Sequence, residues 1–441
     1  MKENKKKVYL KYWGCQMNDL DSEIILGMLR ERGYVPTEKE SEADIILFNT
    51  CSVRQHAEDR VFGKVGELKN WKRERPDGVI GIVGCMAQNH KEALFGKFPH
   101  LDFISGPRNI YDIPELIERV QGEGTRLSAV DKVERPQVGG RPISRKGKVK
   151  AWVTVMEGCH HRCSFCIVPA VRGTAQSRPL PMILEEVKAL DAAGYKEITL
   201  IGQVVDAYGR DLTPPTDFAA LLEAVDGVSG GIRRIRFTTS HPLYANEKLF
   251  EVMKTHPRIC EHLHLPIQSG SDGVLSRMRR GYTVETFRKK VESFRKVFPE
   301  GAVTTDAIVG YPGETEEDFK KTARLMEELA LDDAYIFKFS PRPGTDAAGC
   351  ADDVPQKEKE SRNQELLKLQ EKILQKKLAR FIGKTVEVLV EGKSKKDKSE
   401  YKGRTRTSRE VVFGAEGVSP GDVLSVKVRS LYGKTLLGAL V

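Results

Sequence analysis

A chain of 441 residues, 39% hydrophobic and 30% charged, has the composition of a soluble globular protein of about three domains at the usual ~100–200 residues each. No run approaches the ~20 apolar residues of a membrane helix, and the start, MKENKKKVYL, lacks a signal-peptide apolar core, so a cytoplasmic protein without membrane attachment is expected. The net charge of +10 is uneven: residues 380–441 carry 13 Lys/Arg against 7 Asp/Glu, which suits a polyanion such as nucleic acid, although a solvated lysine-rich face gives the same count.

Residues 1–124 alternate strand and helix, with strands near 7–12, 43–49 and 79–83 and helical patterns such as SEIILGMLRERG and PELIERV. This predicts an N-terminal α/β domain with a parallel sheet. Residues 125–144, rich in Gly, Pro and basic side chains and without a period, read as a linker. From 145 to 378 the βα alternation runs six times, through AWVTVM, EITLIG, IRRIRFTT, HLHLPI, AVTTDAIVG and AYIFKFS. Consecutive parallel strands with right-handed crossovers curl toward a barrel, and six units predict an open (β/α)6 partial TIM barrel with chemistry at the C-terminal strand ends. A charged helix near 355–381 leads to residues 379–441, whose short alternating runs predict a small β-barrel of about five strands.

Six of the eight cysteines form two trios. Cys15, Cys51 and Cys85 each follow a short apolar run, at intervals of 36 and 34 residues, so their thiols should emerge together at the carboxyl edge of one sheet. Cys159, Cys163 and Cys166 lie in MEGCHHRCSFC at the end of the first barrel strand. Zinc would want a fourth ligand, for which His160 or His161 could serve, whereas a cubane held by three cysteines leaves one iron open for a small molecule. Eight cysteines in a reducing compartment read as metal or redox ligands rather than disulfides. Cys260 and Cys350 have no partners in sequence and read as packing residues.

The CxxxCxxC run resembles that of the radical S-adenosylmethionine superfamily. GCQMN, FNTCSVR and GIVGCMAQ resemble the N-terminal domain of its methylthiotransferase family, MEGCHHRCSFCIVPAVRG resembles that family's radical core, and GRTRTSREVVF its TRAM domain. GQVVDAYG departs from the tRNA-modifying branch, which commonly has Asn in place of Val204 and Asp206. The resemblance implies two [4Fe-4S] clusters, one on each trio, with S-adenosylmethionine on the open iron of the cluster at Cys159, Cys163 and Cys166. It implies hydrogen abstraction by a 5′-deoxyadenosyl radical, and methylthiolation of C2 of N6-(dimethylallyl)adenosine at position 37 of tRNA. The same chemistry on threonylcarbamoyladenosine tRNA or a ribosomal-protein aspartate is an alternative acceptor, and a non-catalytic iron–sulfur RNA-binding protein is an alternative class. A monomer served by an electron donor that the sequence does not identify is expected.

The resemblance also implies cofactor contacts, with no catalytic side chain of its own. Phe165 would lie against the adenine, or simply pack its loop. Gln203 ends a strand where an amide can accept from the cofactor's ammonium. Gln268 and Ser269, in LPIQSGS, suit its carboxylate or ribose, and Asp306 ends the fifth strand near by. Arg279 and Arg280 could meet the carboxylate or RNA phosphate, or be solvated. Asn18 and Asn49 are expected to fix turns and His264 to be a satisfied core residue. Lys402, Arg404 and Arg406 carry the expected RNA contact.

Overall fold

A computed structural model describes residues 5–52, 55–130 and 142–441. The N-terminal unit is a six-stranded, wholly parallel sheet in the order 35–36, 7–13, 45–50, 79–83, 103–105, 127–129. The strands Ile45–Thr50 and Val79–Val83 are buried along their whole length, as expected of central parallel strands covered by helices on both faces. Part of the expected linker needs correcting: Leu127–Ala129 pairs with Phe103–Ser105 as an edge strand. Three residues are too short for a period, and pairing along one side only needs no apolar run. Residues 131–141 of that linker lie outside the described residues. From its far end, Ser144 donates to the Glu23 carbonyl and the Lys146 amide to the Glu23 carboxylate, so the chain is pinned to the helix Gln16–Glu31 before the barrel begins.

The six expected barrel strands are present, in two parallel three-stranded halves. One holds Lys150–Thr154, Glu197–Ile201 and Arg234–Phe237; the other holds His262–His264, Ala302–Val309 and Asp333–Lys338. A single bridge, Ile235 to Ile259, joins them. Among the described residues no ladder closes Lys150–Thr154 onto Asp333–Lys338, so the barrel is open at that seam. The N-terminal domain spans it. Asp19 accepts from the Trp152 indole at 3.1 Å on one edge strand, and Gln55 accepts from Arg342 at 2.7 Å just beyond the other.

The helix Gln356–Ala379 packs on Asp333–Lys338 and inserts Leu374 and Leu378 into the core of a closed five-stranded barrel. That barrel runs in the order 385–393, 400–404, 410–414, 435–440, 423–432. It covers the N-terminal ends of the barrel strands through a network of buried charges. Arg236 donates to Glu197 (2.7 Å) and to the carbonyls of Thr405 and Arg406 (2.8 and 2.6 Å). Arg234 donates to the Arg404 carbonyl and Glu387, and Arg409 to Asp332. The C-terminal strand ends are thereby left to the N-terminal domain.

Breaking one partner of a buried ion pair costs ~3–5 kcal/mol because the other charge stays buried. Arg236→Met is therefore expected to undock the C-terminal barrel, seen as faster limited proteolysis near residue 380 with cluster iron retained; unchanged proteolysis would show that these bonds do not hold the interface.

Candidate active site

Cys15, Cys51 and Cys85 stand at the carboxyl ends of three adjacent strands: Cys15 N-caps the helix Gln16–Glu31, Cys51 directly follows Ile45–Thr50, and Cys85 opens the helix Cys85–His90. Two glycines permit this convergence. A Cβ on Gly14 would meet Asn18 Oδ1 at 2.5 Å and Cys51 Cβ at 2.9 Å, and Gly84, at φ +87°, would meet Asn49 Oδ1 at 2.4 Å. Asn18 donates to Asn49 (3.0 Å), and Asn49 donates to the Asn18 carbonyl (2.9 Å), which locks the loops as expected. The three thiols form a hydrogen-bonded row. Cys51, in the middle, is pushed well up by its bonds to Cys15 and Cys85 and by burial. Cys15 and Cys85 are held down, first by the bond from Cys51 and then, against burial, by the charge of Arg172. The row thus favours thiolate, the ligating form, at both ends.

The second trio lies on a loop held from below: Ser164 Oγ donates to the Arg277 carbonyl (2.9 Å), and the Ser164 amide to that of Met278 (3.1 Å). Buried Arg280 donates from Nη1 to Cys163 Sγ at 3.2 Å and from Nε to Tyr282 at 3.1 Å. It therefore serves the sulfur site rather than a carboxylate or phosphate. Desolvation raises the Cys159 thiol, and desolvation followed by repulsion from Cys163 pushes Cys166 up to about 12, so this trio needs a positive centre to become fully anionic.

Beside it, Gln203 Oε1 beyond the second barrel strand, Ser240 Oγ and His241 Nε2 beyond the third, and His161 Nε2 within the cysteine loop itself are buried without hydrogen-bond partners. His161 and His241 stack at 4.2 Å with an 11° interplanar angle. Asp206 accepts from the His241 amide (2.9 Å), and burial pushes its carboxyl up to about 8, so it is mostly neutral at pH 7. Orphaned polar atoms inside a close-packed protein call for a polar ligand.

The two trios meet. Cys85 packs against Ile167 and Val171, one and five residues beyond Cys166. A cavity of about 1040 Å³ extends from Lys11–Gly14, just before Cys15, past Phe165 and Cys166 to Gln268, Asp306, Ile336 and Arg342. Among the described residues no group of three His, Cys, Asp or Glu side chains forms a single-ion site. The fit to iron–sulfur groups rests on two three-thiol sets, each with a buried guanidinium against it, and on the unpaired donors and acceptors near Cys159.

Phe165, Gln268 and Asp306 line this cavity, and Gln268 reaches it from a backbone at φ +68°. Ser269 does not: its hydroxyl turns away to Thr322 (3.4 Å) and the Ser271 amide (3.2 Å), bracing the loop against the helix Glu316–Leu329. His264 is satisfied by Thr304 at 2.9 Å, as expected. Arg406 needs correcting as an RNA contact, because its guanidinium donates to Glu261 (2.6 Å) and the Ile259 carbonyl (2.8 Å) in the domain interface. Arg404 donates to the Ser408 carbonyl (3.1 Å) and remains partly exposed, and Lys402 is half-buried on the same strand. Cys260 is buried, but Cys350 is exposed and packs nothing. Sequence reasoning missed Arg172 and His241; of the two, only Arg172, in an otherwise apolar turn, carried any signal.

Three family models match in order: Uncharacterized protein family UPF0004 over residues 7–106, the Radical SAM superfamily over 153–326, and the TRAM domain over 379–441. A tRNA-2-methylthio-N(6)-dimethylallyladenosine synthase of Carboxydothermus hydrogenoformans is 47% identical, with 96% of each chain covered. One of Clostridium novyi is 43% identical, covering 99% of this chain and 97% of its own. The radical S-adenosylmethionine methyltransferase TsrM of Kitasatospora setae shares the fold alone, with a TM-score of 0.57 at 14% identity over 78% of this chain and 74% of that one. Near-full-length identity at this level, with both sulfur sites built, makes the chain a member of the tRNA-2-methylthio-N(6)-dimethylallyladenosine synthase family.

Proposed function

We propose that this chain is a radical S-adenosylmethionine methylthiotransferase that modifies C2 of N6-(dimethylallyl)adenosine at position 37 of tRNA. The observation that carries this reading is the convergence of two three-thiol sites at one interface, beside a cavity large enough for a modified nucleoside. When bound, a [4Fe-4S] cluster with S-adenosylmethionine supplies the one-electron chemistry that breaks an unactivated C–H bond, which acid–base side chains cannot do. The relatives at 42–47% identity carry the dimethylallyladenosine name, so the other acceptors are not favoured.

The residues divide the work as follows in our reading. Cys159, Cys163 and Cys166 hold the cofactor-binding cluster, with Arg280 stabilising Cys163. Cys15, Cys51 and Cys85 hold a second cluster that presents sulfur. Gln203 and Ser240 would offer their unpaired oxygens to the polar end of S-adenosylmethionine, Phe165 would pack on its adenine, and Gln268 and Asp306, lining the same cavity, would bind its ribose and amino-acid groups. Trp13, Ile308 and Ile336, on the walls of the cavity, suit the apolar dimethylallyl group. The exposed lysines 393, 395, 396 and 398, with Lys402 and Arg404 near by, suit RNA phosphates, and Tyr432, 65% exposed with the Lys396 ammonium 4.5 Å from its ring centre, suits an unpaired base. We assign three domains to these tasks: 1–124 extended to the edge strand at 129, 145–378, and 379–441.

Anaerobically reconstituted protein should hold eight irons, with four lost on replacing Cys159, Cys163 and Cys166 by Ala and the other four on replacing Cys15, Cys51 and Cys85. Cys15→Ala should still cleave S-adenosylmethionine under strong reductant while forming no methylthiolated tRNA; Cys163→Ala should do neither. Full product from Cys15→Ala would remove the N-terminal trio from the reaction.

A further inference from the structure

Among the described residues, the buried guanidinium beside the N-terminal trio is that of Arg172, which does not come from the N-terminal domain. Arg172 ends the helix Val168–Arg172 of the barrel and is 3% exposed. Its Nη2 donates to Asp21 of the N-terminal domain at 2.8 Å, and its Nη1 lies 3.9 Å from Glu157 without a hydrogen-bond partner. The helix is fixed on both sides. Arg108 donates to the Arg172 carbonyl at 3.0 Å, and the next carbonyl, of Gly173, accepts from the Cys159 amide at 3.1 Å. Ile167 and Val171 of the same turn pack against Cys85. The segment from Cys159 to Gly173 therefore holds one trio with its sulfurs and presents a charge to the other.

We propose that Arg172 is a positioning residue for the N-terminal sulfur centre, supplying across the domain interface the fixed positive charge that sets that centre's reduction potential. The inference rests on the two-cluster reading above. Three thiolates and a cluster accumulate negative charge in a desolvated place, and the reduced form carries one more electron than the oxidised form. A guanidinium cannot be deprotonated in a protein, so its charge favours the reduced form at every working pH. Asp21 opposes it from the other side, so the two substitutions should act with opposite sign. A mere domain clamp would respond alike to the loss of either partner.

The test uses the full chain with Cys159, Cys163 and Cys166 replaced by Ala, so that only the N-terminal centre reports, and reads its midpoint potential by EPR-monitored redox titration. Arg172→Gln is expected to weaken reduction tenfold or more, a fall of at least ~59 mV for a one-electron couple. Arg172→Lys should stay near the starting value and Asp21→Asn should shift upward. Equal potentials in Arg172→Gln and its parent, or a downward shift in Asp21→Asn, overturns the proposal. If Arg172→Gln loses its iron, the remaining pair decides: a raised potential in Asp21→Asn beside an unmoved Arg172→Lys supports it, and an unmoved Asp21→Asn overturns it. A parent that binds no iron overturns the two-cluster reading itself, a result distinct from four irons at an unresponsive potential.

Discussion

A barrel of six parallel strands that does not close leaves two edges with unpaired backbone, and such edges must be covered. Here the N-terminal domain lies across the seam, touching Trp152 on one edge strand through Asp19 and Arg342 beyond the other through Gln55. The arrangement of the chemistry follows from that placement. The carboxyl edge of the N-terminal sheet, where Cys15, Cys51 and Cys85 emerge, is brought to the carboxyl ends of the barrel strands, where Cys159, Cys163 and Cys166 lie. Two sites that each need an open face thus lie at one interface, beside a cavity that runs from Gly14, the residue before Cys15, to Cys166.

Charge is distributed to match. Each trio has a buried guanidinium against it, Arg172 for the first and Arg280 for the second, and both come from the barrel. A second set of arginines, buried Arg234, Arg236 and Arg409 with half-buried Arg406, works at the opposite end, where it fastens the C-terminal β-barrel to the N-terminal ends of the strands. The net positive charge of the tail therefore divides into two roles. Arg406 and Arg409 are committed to the interface, while the lysines of the 393–398 hairpin remain exposed and available to a polyanion.

The features legible in the sequence were those written in local pattern. The two trios, the six barrel strands and the β-rich tail each have a spacing or a period, and the structure has all of them. The edge strand Leu127–Ala129 was hidden because three residues carry no period. Arg406 reads as an RNA contact because it sits in the GRTRTSREVVF run that resembles a TRAM domain, and nothing local reveals that Glu261, 145 positions away, will pair with it. Ser269 failed for a related reason: its loop approaches the site, but Thr322 on a neighbouring helix captures the hydroxyl. Arg172 and His241 acquire meaning only when separate strands and domains come together. Burial between elements distant in sequence is a tertiary property, and spacing along the chain does not disclose it.

The central claim is that the two sulfur sites belong to one reaction space, joined through the contact of Cys85 with Ile167 and Val171. Magnetic interaction between the clusters tests it most directly. EPR of the fully reduced, doubly reconstituted protein should differ from the sum of spectra from the two triple-cysteine variants, through splitting or faster relaxation of both signals. A spectrum equal to that sum, at full occupancy of both sites, would place the clusters too far apart to serve a common substrate and would contradict the account.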